Sequence, residues 1–254
     1  MMFSGQSALV SGASRGIGLA IARRLAAEGA RVLLVARSAA ALQAEAAALP
    51  GAAAFATDLA APGAAAQAVA EAVRQFGRLD LLVHSAGATP RGDFLSLDDD
   101  AWQQGFALKL FGGAGLCRAA WPHLQAASGR IVLIAGVGGR VASADFAVGG
   151  AVNAALANLT KALADRGVRD GVRVNAINPG SIRTDRLTGR IATVQQEQGL
   201  DAEAAAAALA AATGVARFGE PDEIAAATAF LLGPEASYIQ GSVLDVDGGW
   251  VRAV

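Results

Sequence analysis

Three glycines near the start of the chain have the spacing of a phosphate-binding turn. Gly12, Gly16 and Gly18 lie in the run Ser11-Gly12-Ala13-Ser14-Arg15-Gly16-Ile17-Gly18. Without Cβ atoms the backbone can turn tightly, and a pyrophosphate can approach the amides at the positive end of a helix. Because an apolar run precedes this segment and a helical pattern follows it, the spacing predicts a dinucleotide-binding turn that includes Ser14, Arg15 and Ile17.

An arginine occupies the position that distinguishes the two common dinucleotides. A carboxylate about 20 residues after the glycines would bind both ribose hydroxyls of NAD. This chain has Arg37 there, and no acidic residue occurs between Arg31 and Glu45. The guanidinium of Arg37, with Arg15 as a second candidate, suits a 2′-phosphate. We therefore predict that NADP(H) is preferred over NAD(H); the alternative is two solvated surface arginines.

Side chains that usually carry chemistry are scarce in the rest of the chain. Tyr238 is the only tyrosine, Cys117 the only cysteine, and His84 and His123 the only histidines. This composition excludes an internal disulfide and argues against a bound metal. The net charge of −1 argues against a nucleic-acid or anionic-membrane partner. With no secretory signal and no apolar run of about 20 residues, we expect a cytoplasmic protein.

Short apolar segments alternate with longer alanine-rich helical segments. The predicted strands are residues 8–11, 31–36, 53–57, 79–84, 130–135, 172–178 and 242–246, and the predicted helices are 17–28, 40–49, 63–76, 99–126, 147–169 and 222–232. This alternation indicates parallel strands joined by right-handed crossovers. A barrel would also fit the length, but the glycine turn favours an open sheet. Residues 1–254 are therefore predicted to form one Rossmann-type, doubly wound α/β domain with a mainly parallel seven-stranded sheet and helices on both faces.

Residues 184–214 differ from the alternation around them. The segment is long and alanine-rich, and Gln195-Gln196-Glu197-Gln198-Gly199 interrupts it. It precedes a helix-start signal at Gly219-Glu220-Pro221. Two ordinary surface helices are one interpretation. We favour the other, a substrate lid inserted into the domain, because of the motif that precedes it.

Further motifs show that the chain, from about residue 6 to 250, resembles the short-chain dehydrogenase/reductase family. The glycine spacing matches the first family motif, and Thr57-Asp58-Leu59 matches the acidic turn that holds the adenine in that family. Ser85-Ala86-Gly87 stands where the family usually has Asn-Ala-Gly. The resemblance implies that Asp58, Leu59, Ser85, Ala86 and Gly87 bind the cofactor.

Three later segments extend the resemblance. The run Pro179-Gly180-Ser181-Ile182-Arg183-Thr184 matches the segment that cradles the nicotinamide amide in the family, which implies cofactor contacts by Pro179, Gly180, Ile182 and Thr184. The C-terminal signatures match at Arg217-Phe218-Gly219-Glu220-Pro221 and at Asp247-Gly248-Gly249.

The family's catalytic residues are all replaced in this chain. Family members use a tyrosine for proton transfer, a lysine four residues later, a serine that orients the carbonyl and an asparagine that holds a water. The serine position falls on Gly136, the tyrosine on Gly149, the lysine on Asn153 and the asparagine on Lys109. Asparagine and lysine have thus exchanged places. In the family these groups meet through water, so we predict that Lys109 and Asn153 keep a cation beside the nicotinamide ribose; otherwise Lys109 extends to solvent.

Other groups could also move protons. The bend at residues 138–145 offers Arg140, Ser143 and Asp145, and His84 ends the fourth predicted strand. A hydrogen-bonded core histidine and a helix N-cap are the more common roles of such a histidine and aspartate. A desolvated Lys109 could itself act as an acid. The glycines at residues 136, 149 and 150 predict a wide pocket floor beside the nicotinamide; the simpler alternative is that small residues filled these positions once selection for the usual chemistry was lost.

Three functions remain open. The favoured one is an NADP(H)-dependent oxidoreductase with an unusual proton relay, acting on a carbonyl, an alcohol or an activated double bond. The others are an NADP(H)-loaded pseudoenzyme that senses cofactor or regulates a partner, and a non-catalytic subunit of an active relative. The resemblance also implies a symmetric homo-oligomer, predicted as a tetramer, in which the small residues of 147–156 permit close helix packing.

Overall fold

A seven-stranded, fully parallel sheet forms the centre of the protein. The computed structural model describes residues 1–252. Strands run in the order β3-β2-β1-β4-β5-β6-β7. Their bounds are β1 Ser7–Ser11, β2 Arg31–Ala36, β3 Ala53–Ala56, β4 Leu81–His84, β5 Arg130–Ile134, β6 Arg173–Pro179 and β7 Val243–Val246. The predicted doubly wound sheet is confirmed, and its boundaries differ from the predicted ones by at most two residues.

Nine α-helices are present in residues 1–252, and six of them cover the two faces of the sheet. The nine are α1 Gly16–Ala27, α2 Ala39–Ala48, α3 Ala64–Phe76, α4 Asp99–Phe106, α5 Gly113–Ala127, α6 Ala147–Asp170, α7 Asp185–Gln198, α8 Ala202–Thr213 and α9 Pro221–Leu232. One core joins α1, α2 and α9 to strand residues such as Val10 and Leu34. The other joins α3, α5 and α6 to neighbours such as Leu9 and Leu33. Alternate side chains along a strand thus pack against the helices on opposite faces of the sheet. Both faces are buried, which explains why the strands are almost continuously apolar.

The sheet reverses its strand order at β1, which pairs with β2 on one side and β4 on the other. In open α/β sheets, ligands bind beyond the carboxyl ends of the strands at such a switch point. The glycine turn that follows β1 and the Ser85-Ala86-Gly87 turn that follows β4 both lie there. The topology therefore places the predicted cofactor residues at one edge.

The helix predicted over residues 99–126 is not a uniform α-helix. Between α4 and α5 lies a π-helical segment, Ala107–Gly112, in which hydrogen bonds reach one residue further along the chain. Lys109 lies in this wider turn. Its carbonyl accepts a hydrogen bond from His84, a contact from outside the helix that periodicity does not reveal.

Residues 184–214 form α7 and α8, which pack together around a small apolar cluster that includes Leu187, Ala210, Val215 and Phe218. The two-helix form is one of the expected alternatives, and the role of a lid stays a prediction. In the described part of the chain, no helix combines the length and apolar character needed to cross a membrane. No group of three or more histidine, cysteine or acidic side chains in residues 1–252 is arranged to hold a metal ion.

Candidate active site

The turn after β1 has the shape of a pyrophosphate cradle. Gly12 has a φ angle of +70°, and a Cβ atom on it would lie 2.8 Å from the backbone nitrogen of Ala86. A Cβ atom on Gly18 would lie 2.3 Å from the Gly12 carbonyl oxygen. Helix α1 begins at Gly16 with neither a side-chain cap nor an acidic residue in its first turn. Its first amides therefore remain available to an anion, and the cradle fits a dinucleotide.

The two neighbouring turns are fixed against this cradle. The hydroxyl of Ser11 accepts hydrogen bonds from the amides of Ser85 and Ala86, each at 3.2 Å. Asp58 is exposed, and its Oδ1 accepts from the amide of Ala60 at 3.0 Å, while Leu59 is buried. The carboxylate of Asp58 thus lies in a hydrogen-bonded turn, and its contact with an adenine stays a prediction.

The segment after β6 closes the other side of the crevice. Ile182 forms a parallel bridge with Gly219, and the amide of Arg183 donates to the Gly219 carbonyl at 2.8 Å. These contacts bring the Thr184 methyl group within 3.3 Å of where a Cβ atom of Gly16 would lie. The predicted cofactor residues of β1, β4 and β6 therefore line one crevice, and their contacts with a cofactor stay predictions.

The two arginines predicted to bind a 2′-phosphate differ in their surroundings. Arg37 is exposed just beyond β2, and no described residue forms an ion pair or a hydrogen bond with its side chain. Arg15 is exposed too, but its guanidinium lies 3.0 Å from the carboxylate of Asp185 at the start of α7. Arg37 is therefore the guanidinium that can bind a phosphate without first breaking an ion pair.

Lys109 points into the site. Its Nζ donates a hydrogen bond to the Ala135 carbonyl at 2.7 Å, and its aliphatic chain packs against Gly87, where a Cβ atom would lie 2.9 Å from Lys109 Cδ. Burial, and secondarily the positive charge of Arg186, lower the pKa of Lys109 from 10.5 to about 7. An amine with this pKa can both donate and accept a proton near neutral pH.

Asn153 lies beside Gly136, the residue that follows Ala135. It is 4% exposed, and its Nδ2 lies 2.9 Å from where a Cβ atom on Gly136 would be. Its buried Oδ1 has no hydrogen-bond partner among the described residues. Buried acceptors of this kind normally have a donor, so a water or ligand hydroxyl is expected beside it. Lys109 and Asn153 thus flank Ala135 and Gly136, without a direct hydrogen bond between them in the described structure.

The expectation of a wide pocket floor was wrong. A Cβ atom on Gly149 would lie 2.1 Å from the ring of Phe146, so this ring fills the space beside the tyrosine position. The Asn153 amide covers Gly136, and the Gly138 carbonyl lies 3.0 Å from a Cβ position on Gly150. The glycines therefore accommodate neighbouring groups rather than leaving a cavity.

The polar bend before α6 is also organised differently from the expectation. Asp145 is not the N-cap of α6, since the cap residue is Phe146 and has no side-chain cap bond. Asp145 instead accepts from the Ser143 hydroxyl and pairs with Arg91. Arg140 pairs with Asp245. The two ion pairs join residues 54 and 105 positions apart in the chain, which local sequence signals do not report.

His84 is a buried structural link between the cradle and the π-helical segment. Its Nε2 must donate to the Lys109 carbonyl, 3.0 Å away, because a carbonyl oxygen can only accept. Its Nδ1 then accepts from the Ser11 hydroxyl at 2.8 Å. Burial lowers the pKa of His84 to about 4, which keeps the ring neutral. The core-histidine interpretation agrees with these contacts.

Replacing His84 with leucine is expected to lower the free energy of unfolding by about 2–4 kcal/mol, because a buried carbonyl and a buried hydroxyl lose their partners. Urea unfolding of the parent and variant measures the difference. His123→Leu is the matched control, since His123 is exposed on α5, and a change within about 0.5 kcal/mol is expected there. Equal effects of the two substitutions would contradict the assigned role of His84.

The parallel sheet, the glycine cradle and the segment from Pro179 to Thr184 define a dinucleotide-dependent oxidoreductase fold. A family model described as enoyl-(acyl carrier protein) reductase matches residues 12–251. Galactitol 2-dehydrogenase (L-tagatose-forming) of Cereibacter sphaeroides is 40% identical over 259 residues, which cover 97% of this chain and 95% of that protein. The chain belongs to the short-chain dehydrogenase/reductase family and is an oxidoreductase by that membership.

Two further proteins resemble the whole chain. The 3-oxoacyl-(acyl-carrier-protein) reductase FabG of Salmonella typhimurium (strain LT2) is 35% identical over 261 residues, covering 98% of each chain. The solved structure of L-sorbose reductase from Gluconobacter frateurii, complexed with NADPH and L-sorbose, has a TM-score of 0.93 and 30% identity, and the match covers all of both chains. These likenesses extend across residues 184–214 as well as the sheet.

Proposed function

We propose that this protein is an NADP(H)-dependent oxidoreductase that interconverts a carbonyl group and an alcohol, with Lys109 as the proton-transfer residue. The observation that carries the proposal is the inward Nζ of Lys109, held at the Ala135 carbonyl with a pKa lowered to about 7. The exposed Arg37 supports NADP(H), as does the NADPH in the structure of L-sorbose reductase.

Lys109 and Asn153 have different roles in the proposed reaction. A bound NADPH would supply the hydride for the carbonyl carbon. In the same reduction, the Lys109 ammonium donates its proton to the carbonyl oxygen and then regains one from solvent. Asn153 Oδ1 accepts from the water or hydroxyl that lies between the two side chains, which orients the donor. In alcohol oxidation, the neutral Lys109 amine takes the alcohol proton.

The reaction can be followed by NADPH absorbance with a panel of ketones, aldehydes and quinones. We expect steady NADPH consumption with at least one member and alcohol formed in equal amount. If cofactor binds, as shown by titration, and no member of a broad panel is reduced, catalysis by this chain alone is contradicted. The matched control omits the carbonyl compound, which separates reduction from slow cofactor oxidation.

We also propose a symmetric homo-oligomer, as expected from the family resemblance. An apolar groove between α5 and α6 supports this, with Trp121, Pro122, Leu159 and Leu163 in its walls. Light scattering at micromolar concentration should give a mass that is a multiple of the 25.3 kDa chain, and four chains are expected. A monomer at that concentration contradicts the proposal.

A further inference from the structure

Positive charge from helix α7 reaches the candidate active site. Arg186 and Arg190 lie four residues apart on α7 and therefore on one face of the helix. The guanidinium of Arg186 donates to the Gly87 carbonyl, beside the chain of Lys109. Its charge contributes to the lowered pKa of Lys109, so the two cations are neighbours.

A further arginine approaches from the loop before α4. The guanidinium of Arg91 lies 4.3 Å from the centroid of the Phe146 ring, the same ring that fills the space beside Gly149. A cation–π contact of this kind fixes the guanidinium over the ring. Arg91 thus contacts the same ring that lies against Gly149, the position at which the family resemblance predicts the catalytic tyrosine.

Arg190 lies on the same face of α7 as Arg186, close enough to Arg91 for the two like charges to interact. It is half-buried, and both burial and the charges of Arg91 lower its pKa. Asp145, the partner of Arg91, is the one carboxylate that acts on Arg190 in the opposite direction. No described carboxylate lies within 4 Å of Arg186 or Arg190. Like charges in a partly desolvated cleft repel, and an anionic ligand would relieve that repulsion.

The cofactor's own phosphates are expected elsewhere. The pyrophosphate fits the amides at the start of α1, and Arg37 lies beyond β2 for a 2′-phosphate. Arg91 and Arg190 lie instead near Phe146, which follows β5 on the side of Gly149. Arg190, which has no carboxylate within 4 Å among the described residues, therefore lies toward Phe146, whereas Arg186 lies beside Gly87 and is also affected by the charge of Arg15 in the glycine turn.

We propose that this cleft selects a carbonyl substrate that carries an anionic group, a carboxylate or a phosphate, which Arg190 and Arg186 bind with Arg91 opposite while the carbonyl faces Lys109. This inference rests on the proposed function and adds its substrate class. Guanidinium groups bind both anions through paired, charge-assisted hydrogen bonds.

The test compares charged and neutral substrates of matched shape. Acetoacetate, 4-oxopentanoate and 5-oxohexanoate are each paired with their methyl esters, and dihydroxyacetone phosphate is paired with dihydroxyacetone. We expect kcat/KM for at least one anion to exceed that of its neutral partner by about tenfold or more. Whether the carboxylates or the phosphate show the larger ratio identifies the anionic group.

Arg190→Gln should reduce this anion-to-neutral ratio by about 10-fold or more, and Arg190→Lys should reduce it less because the charge remains. Arg169→Gln is the control, since Arg169 is exposed at the far end of α6, and the ratio should stay as in the parent. Equal use of anions and neutral partners by the parent overturns the inference. The inference is also overturned if Arg190→Gln raises the Kd of NADPH by as much as it raises the KM of the anionic substrate, because Arg190 would then bind the cofactor.

Binding separates this inference from the proposed function. Thermal unfolding of the NADPH-loaded protein is measured with each anion and each neutral partner. A higher Tm with the anions that is lost in Arg190→Gln supports the anion site even if no compound is reduced, and the proposed function then fails alone. If no anion changes the Tm or is reduced, the anion site is refuted.

Discussion

Lys109→Met is expected to lower kcat/KM for carbonyl reduction by about 100-fold or more, the usual range for loss of a general acid. Methionine keeps a side chain of similar length but cannot donate a proton, so the loss should appear in kcat more than in NADPH affinity. Initial rates of NADPH consumption and fluorescence titration measure the two quantities. Lys161→Met is the matched control, because Lys161 is the only other lysine and is exposed on α6.

The pH dependence of the same reaction gives an independent readout. The pKa of Lys109 is lowered from 10.5 to about 7, so its ammonium form predominates only below about pH 7. Reduction by the parent should therefore be fastest below that pH and decline above it, whereas alcohol oxidation should increase through the same range. Lys109→Met should lose this inflection. Substantial turnover with the inflection preserved in Lys109→Met would show that another group supplies the proton.

Arg37→Ala is expected to weaken NADPH binding by about 10-fold to 100-fold, equivalent to about 1.4–2.8 kcal/mol of charge-assisted hydrogen bonding. NADH lacks the 2′-phosphate, so its Kd should change little. Fluorescence titration with both cofactors gives the preference directly. Arg15→Ala should have a smaller effect, because Arg15 already pairs with Asp185 at 3.0 Å.

The same titration on the parent tests the preference itself. NADPH should bind more tightly than NADH, and Arg169→Ala should leave both Kd values as in the parent, since that arginine is exposed on α6. Equal affinity for the two cofactors, or an unchanged preference in Arg37→Ala, contradicts the assignment of Arg37 to the 2′-phosphate.

The sheet and the cradle could be predicted because their signals are local. Strands buried on both faces need apolar residues throughout, and the turn after β1 needs glycine where a Cβ atom would collide with Ala86. The strand before Gly136 and the helix around Asn153 could also be predicted, since both have clear sequence patterns. That they hold the family's catalytic positions stays a prediction.

The contacts that give the site its character are long-range and could not be predicted in this way. The π-helical turn at Lys109 has an outside partner in His84, 25 residues earlier. The guanidinium of Arg91 lies over the Phe146 ring, although the two residues belong to segments far apart in the sequence. Arg186 reaches Gly87 across 99 residues of sequence. Such contacts depend on how segments far apart in the sequence pack together, and composition and residue spacing carry no signal for that packing.

A crystal structure of the NADPH complex tests the central claim most directly, since that claim is the position of the Lys109 ammonium relative to the cofactor. We expect Lys109 Nζ to lie within about 3.2 Å of a nicotinamide ribose hydroxyl, or to be joined to it by one water that also donates to Asn153 Oδ1. An ordered nicotinamide with Lys109 Nζ turned into bulk solvent would contradict the account.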